Sequence, residues 1–282
     1  MSDSETIIEP TTSWFHVPWR EIVQYRDLLF LLVRRDFVAQ YKQTILGPLW
    51  FVIQPLLTTV VFTVIFSSVA KIPTDKLPPM LFYLCGMLGW NYFARCMGGT
   101  SSTFVGNAGL FGKVYFPRLV VPLSVVLSQL ISFAIQLVTF LGFWVWFKLF
   151  TAGGATFHAT SLLFALPLLL LQTAAIGLGV GLWMSSLTAK YRDFGNLAAF
   201  LTQLWMYATP VVYPLSMLPE RWRWVASLNP MTGIIEAYRY AFLGTGTVEP
   251  VYLAASAGTT VIVLLTGIVF FSRVERTFVD TV

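Results

Sequence analysis

Along the chain, stretches without a charged residue recur at lengths that suit a hydrocarbon slab, which about 20 helical residues can cross. Residues 49–70 form the first, 22 residues free of charge. The second covers 77–94 and stops at Arg95, and the third covers 119–147. Gly153-Gly154 and His158 mark a loop, after which 162–187, 194–218 and 251–272 make the fourth, fifth and sixth. A backbone in lipid must satisfy its own polar groups, so each run predicts a helix. Two further segments do not span. Between 18 and 45, Ile22, Leu29, Val33, Phe37 and Tyr41 recur at steps of seven or four, while Arg34, Arg35 and Asp36 interrupt the apolar run. That pattern predicts an amphipathic helix lying at the interface. In 215–250, Pro219 and Pro230 suit a first helical position, Asn229 suits a cap, and Glu236 reaches Arg239 and Tyr240 at helical spacing. With Trp222, Trp224 and Tyr238 beside them, this segment predicts two short helices dipping into the membrane surface.

The predicted fold class is therefore an all-α integral membrane protein: a tail at 1–17, an interface helix at 18–45, a six-span domain at 46–272 and a C-terminal tail at 273–282. Composition agrees. Hydrophobic residues make up 56% of the chain and charged residues 11%, against about 25% charged in soluble domains. A soluble enzyme is excluded, because so much apolar surface would have no cover. The net charge of +5 could suggest a nucleic-acid partner, but basic residues in membrane proteins gather in cytoplasmic loops. With both termini on one side, that side carries eleven Lys and Arg, the other side six, and Arg95 is the last of the 18. The termini are expected in the cytoplasm. No nucleic-acid partner is expected, and membrane lipids are. The polar, acidic N-terminus has no signal-peptide pattern, so insertion is expected to rest on the first span.

Chemistry is sparse. No acidic residue occurs between Asp75 and Asp193, so three spans lack the carboxylate an ion-coupled carrier keeps in the membrane. His16 and His158 fall on opposite sides, no residues have metal-ligand spacing, and no catalytic residue or metal site is expected. Gly112-Lys113-Val114 lacks the Ser or Thr of a phosphate loop, so a nucleotide would have to be used by another subunit. Cys85 and Cys96 stand about 16 Å apart along one helix, too far for a disulfide. Arg95 lies about 24 Å along the second span, where it either snorkels to the interface or meets an anionic headgroup in a wet cavity. Trp50, Phe51, Tyr83, Trp90, Tyr92 and Phe93 cluster in the first two spans and, with Arg95, are candidates for lining a substrate path.

Three motifs carry a family resemblance. Tyr41-Lys42-Gln43-Thr44-Ile45-Leu46-Gly47-Pro48-Leu49-Trp50 with Gln54-Pro55 is the first. Lys190-Tyr191-Arg192-Asp193-Phe194 with 207–214 is the second, and Asn229-Pro230 with Glu236-Ala237-Tyr238-Arg239 is the third. Together they resemble type-2 ABC exporter permeases of the bacterial polysaccharide export group. The resemblance implies a homodimer with two cytoplasmic nucleotide-binding subunits, which hold the ATP and Mg; no cofactor is expected in this chain. Docking would involve Arg34, Arg35 and Asp36 on the interface helix and Phe111, Lys113, Tyr115, Phe116 and Arg118 in the loop at 109–122. Leu46, Gly47 and Pro48 would form the cytoplasmic channel mouth. Trp222, Trp224, Asn229, Pro230, Glu236, Tyr238 and Arg239 would form periplasmic gate helices. The implied cargo is a polyprenyl-pyrophosphate-linked polysaccharide, O-antigen first, at a bacterial inner membrane. A permease for a small drug or lipid, and a membrane-integral lipid-linked sugar transferase, stay as alternatives.

Overall fold

The computed structural model of the chain describes residues 19–278 except 112, 152, 153, 155 and 192. The expected tail at 1–17, with His16, lies outside the described residues, as do Pro18, Gly112, Arg192 and 279–282. All regular structure among the described residues is helical. Helices α1 (Trp19–Gln24) and α2 (Arg26–Tyr41) precede α3 (Trp50–Phe62), which continues into a π-helical stretch, Thr63–Val69. Then follow α4 (Pro79–Ser101), two single turns α5 (Thr103–Gly106) and α6 (Ala108–Phe111), α7 (Val120–Phe150), α8 (Leu166–Lys190) and α9 (Phe194–Ala208). The last three are α10 (Glu220–Ser227), α11 (Pro230–Leu243) and α12 (Pro250–Phe278). The end carrying α1, α2, α5 and α6 is called basal, and the end carrying α10 distal.

Among the described residues four helical stretches are long and apolar enough to cross a membrane: Gly47–Val69, Val120–Phe150, Ser161–Lys190 and Pro250–Glu275. They match the first, third, fourth and sixth expected runs. The second run is helical as α4, but it passes Arg95 and ends at Ser101. Sixteen of its 23 residues are buried, because α3, α7, α8, α9 and α11 all pack on it. A helix enclosed by protein has no need of a lipid-compatible surface, so α4 tolerates Asn91, Arg95 and its glycines. The fifth run is shorter than expected. Helix α9 stops at Ala208, where Thr209 turns extended at ψ 144 ahead of Pro210. Proline removes a donor and forces the preceding residue out of the helical region, and Pro214 repeats the effect.

The interface segment is two helices, broken at Tyr25, and it does not lie alone on a membrane surface. Ile22 and Leu32 join Phe104, Phe116, Leu119, Val120, Val121, Leu182 and Phe271 in a basal apolar cluster. Removal of apolar area from water, at about 25 cal/mol per Å², holds the part of such a cluster that lies beyond the hydrocarbon. Within the bilayer, lipid tails match apolar side chains, so close packing between helices carries the load. Helix α11 shows that packing. It was expected at the membrane surface, yet 13 of its 14 residues are buried. Gly86 and Gly89 let it approach α4: a Cβ at Gly86 would lie 3.1 Å from Arg239 Nη2, and one at Gly89 3.1 Å from Tyr238 Cδ2.

Candidate functional site

At the basal end the eight expected docking residues divide by exposure. Arg34, Lys113 and Tyr115 face outward, and Tyr115 is 65% exposed. Arg35 and Asp36 form an ion pair at 2.8 Å and brace α2: Arg35 Nη2 donates to Asn107 Oδ1 at 3.3 Å, and Asp36 Oδ2 accepts from Ser124 Oγ at 3.2 Å. Phe111, Phe116 and Arg118 turn inward. Phe111 and Phe116 rings lie 5.8 Å apart, and Phe104 stacks on Phe271 at 4.6 Å. Arg118 Nη1 donates to the Glu275 carbonyl at 2.7 Å, and its guanidinium sits 5.3 Å from the Phe111 ring. Burial lowers the Arg118 pKa, and the nearby Glu275 carboxylate partly offsets it. Partial desolvation of the hydroxyl, aided by Glu21 and Glu275, raises the pKa of the otherwise exposed Tyr115 phenol. The loop is thus a brace from α2 and α7 to the end of α12, with Lys113, Val114 and Tyr115 as its outer surface.

The expected channel mouth is a 3-10 turn, Gly47–Leu49, entered with Gly47 at φ 53. The left-handed φ suits glycine, which has no Cβ to clash. Around it Ile45, Leu46, Leu49 and Trp50 are exposed. Phe51 is buried and stacks on Phe37 at 5.8 Å, and the Arg95 guanidinium lies 5.4 Å from the Phe51 ring. Arg95 therefore connects α4 to α3 through a cation–π contact.

The other path candidates on α4 are buried within the chain. Tyr83, Trp90, Tyr92 and Phe93 are each 3% exposed or less. They fill the interior of one chain: Tyr92 packs on Phe133 at 5.4 Å and Phe93 on Trp205 at 5.0 Å. Within a single copy these rings, spread around α4, are core packing residues. Sequence reasoning missed a polar seam beside them. Asn91 Nδ2 donates to Gln136 Oε1 at 3.1 Å, and Gln129 and Ser132 are buried on the same face of α7. The signal was available, because Gln129, Ser132 and Gln136 repeat at helical spacing within an apolar run.

At the distal end Trp222 and Trp224 are exposed, at 53% and 62%. Asn229 caps α11 by accepting from the Met231 N–H at 3.0 Å, and it also accepts from Trp205 Nε1 at 3.0 Å. Pro230, Tyr238, Glu236 and Arg239 are interior, not surface. Arg239 Nη1 donates to Glu236 Oε1 at 2.9 Å, and its Nη2 donates to the Val211 carbonyl at 2.7 Å. Its guanidinium lies 3.7 Å from the Phe82 ring centre. The second Glu236 oxygen accepts from the Thr247 N–H at 2.8 Å. One ion pair thereby joins α4, the segment after α9, α11 and the approach to α12. The spacing of Glu236 and Arg239 forecast the pair, and its burial was not legible. Among the described residues no group of three His, Cys, Asp or Glu side chains gathers at metal-binding distance.

Comparison with known proteins gives this architecture a family. Residues 27–243 match the ABC-2 type transporter model, and the chain belongs to that family. It is similar to the O-antigen export system permease protein RfbA of Klebsiella pneumoniae, at 28% identity over 90% of this chain and 94% of the relative. RfbA of Myxococcus xanthus is 29% identical over 93% of this chain and 98% of its own length. The capsule polysaccharide export inner-membrane protein CtrC of Neisseria meningitidis serogroup B is 24% identical over 92% of this chain and 95% of its own. The protein is thus a multi-pass membrane protein, homologous to polysaccharide exporter permeases.

Proposed function

We propose that this member of the ABC-2 transporter family is the membrane subunit of an ATP-driven exporter that carries a polyprenyl-pyrophosphate-linked polysaccharide, O-antigen first, across the bacterial inner membrane. The observation that carries the reading is similarity to O-antigen export permeases over 90% or more of the chain. In this reading α4 and α9 complete six crossings, the basal end is cytoplasmic, and α10 with α11 forms the outside gate. Two copies of a separate nucleotide-binding subunit bind ATP and Mg and dock on α2 and the surface of Lys113, Val114 and Tyr115. Their motion enters through the Arg35–Asp36 and Arg118–Glu275 contacts, which tie that surface to α7 and α12.

The polymer needs a second copy of the chain. Packed rings occupy the centre of one copy, whereas α3 and α9 present exposed apolar flanks, among them Leu57, Val61, Val64, Phe200 and Leu204. A channel between two such flanks leaves the core of each copy intact. Capsule polymer is the second reading, supported by the likeness to CtrC.

The test deletes this chain and, separately, the nucleotide-binding protein proposed as its partner, then blots for surface polysaccharide. Loss of surface polymer with lipid-linked polymer accumulating inside is the expected result in both deletions. Its chemical composition separates O-antigen from capsule. Unchanged surface polymer would overturn the cargo and favour a small drug or lipid.

A further inference from the structure

The loop between α3 and α4 carries three of the four non-glycine residues with left-handed backbone among the described residues: Lys71 at φ 53, Asp75 at 49 and Lys76 at 65. Side chains with a Cβ adopt that region at a cost, so a run of them persists only where neighbours hold it. Two anchors do so. On the inner side Thr74 and Leu77 are buried and close a turn, with Thr74 Oγ1 donating to the Leu77 carbonyl at 2.8 Å. On the outer side Asp75 Oδ1 accepts from Ser216 Oγ at 2.8 Å, a contact across 141 positions of sequence. Ser216 is itself gripped, because Arg223 Nη2 on α10 donates to its carbonyl at 2.7 Å and Arg223 Nε donates to the Leu218 carbonyl at 2.9 Å.

The helix leading into this loop is unusual as well. Thr63–Val69 is π-helical, with Ala70 N–H donating to the Ile65 carbonyl at 2.9 Å and Ile72 N–H to the Phe66 carbonyl at 2.8 Å. A π stretch holds more residues per turn than an α-helix, and tightening it pushes residues into the following loop. A charged hydrogen bond at the tip of this irregular helix end holds it in the arrangement seen here.

We infer that Asp75, Ser216 and Arg223 form a latch within each copy that ties the loop after α3 to α10 and holds that copy's distal edge of the path in its closed position until cargo passes. The inference rests on the proposed export function and names the contact by which that end is shut. Asp75 and Arg223 are half-buried and Ser216 is exposed, so substitutions there leave the apolar core untouched.

The test reconstitutes the full-length chain with the nucleotide-binding protein proposed as its partner in liposomes loaded with carboxyfluorescein. Ser216→Asp sets two carboxylates against each other and Asp75→Ala removes the acceptor. Each is expected to raise dye efflux about tenfold, while Glu220→Ala, an exposed acid on α10 outside the latch, leaves efflux unchanged. In cells, Asp75→Cys with Ser216→Cys, joined by a short bifunctional thiosulfonate, is expected to stop surface polymer, and reductant to restore it. The native Cys85 and Cys96 are buried and take no part. Wild-type efflux from both latch variants, or undiminished surface polymer once mass spectrometry shows the cross-link, would overturn the latch. If the wild-type chain places no polymer on the surface while efflux rises as expected, the export reading fails and the latch stands.

Discussion

Replacing Arg239 with Met is the sharpest probe of the distal interior. Arg239 is 1% exposed and Glu236 2% exposed, with 2.9 Å between them. Met fills much of the same volume, so the substitution removes charge more than packing. It leaves the Glu236 carboxylate buried with the Thr247 N–H as its remaining bond from those described above. Removing one partner of a buried ion pair costs about 3–5 kcal/mol, because the other charge stays desolvated and uncompensated. The lost contact with Phe82 at 3.7 Å adds up to about 2 kcal/mol. Adding Glu236→Gln removes the stranded charge while an amide oxygen still serves Thr247. The double variant is therefore expected to cost less than the single one, by about 2 kcal/mol. Apparent Tm in detergent, followed by fluorescence-detected size exclusion, reads both. The single variant should fall by on the order of 10 °C, and the double should regain part of that loss. A Tm for Arg239→Met within 2 °C of wild type, or a double variant at the sum of the singles, would refute the reasoning.

Other positions give distinct outcomes. Phe116→Ala empties a 5% exposed site in the basal cluster and should cost about 3–5 kcal/mol, seen as a lower Tm and reduced membrane yield. Tyr115→Ala with Lys113→Glu changes exposed groups, so Tm should hold within 2 °C while co-purification of the proposed nucleotide-binding subunit is lost. Arg95→Gln removes a half-buried cation–π contact and should cost about 1 kcal/mol of stability. Unchanged export and unchanged substrate-stimulated ATP hydrolysis in that variant would assign Arg95 to packing. Gly86→Ala places a Cβ 3.2 Å from the Val211 carbonyl oxygen, which is backbone and yields little, so about 1–3 kcal/mol is expected from the same Tm assay.

The sequence was most legible where lipid dictates composition. The runs at 49–70, 119–147, 162–187 and 251–272 each became a long apolar helix, because any face of a span left to lipid must be apolar. It was least legible where protein replaces lipid. Nothing in Pro230-Met231-Thr232-Gly233-Ile234-Ile235 says whether that face meets water, headgroups or α4. Hydrophobic periodicity reports that a face is covered and is silent on what covers it. The same holds for the ring cluster on α4, whose aromatics suit a sugar path and a packed core equally. Phe116 and Arg118 read as docking residues because aromatics beside cations mark surfaces, yet Glu275, 157 positions away, draws Arg118 inward. A loop's long-range partner is what local pattern cannot supply.

The burial pattern also bears on how a polymer could cross. Within the most apolar stretch of each helix, 17% of α12 and 22% of the Gly47–Val69 stretch are buried, against 56% of α7. The least covered helices are those with surface to offer a lipid or a second chain. Helix α4, on which five other helices pack, carries Asn91 and Arg95 and is braced on its distal half by the Glu236–Arg239 pair. A path through that interior would have to separate a packed ring cluster and a buried ion pair at every step of a long polymer, and packed interiors do not deform continuously. A path between copies, along α3 and α9, needs only surfaces to part. The π-helical end of α3 and the proline-terminated end of α9 put the irregular backbone of both helices at the distal end, where such a path would open. This is the geometry expected of a translocation subunit whose core stays rigid while its outer contacts, Asp75 with Ser216 among them, open and close.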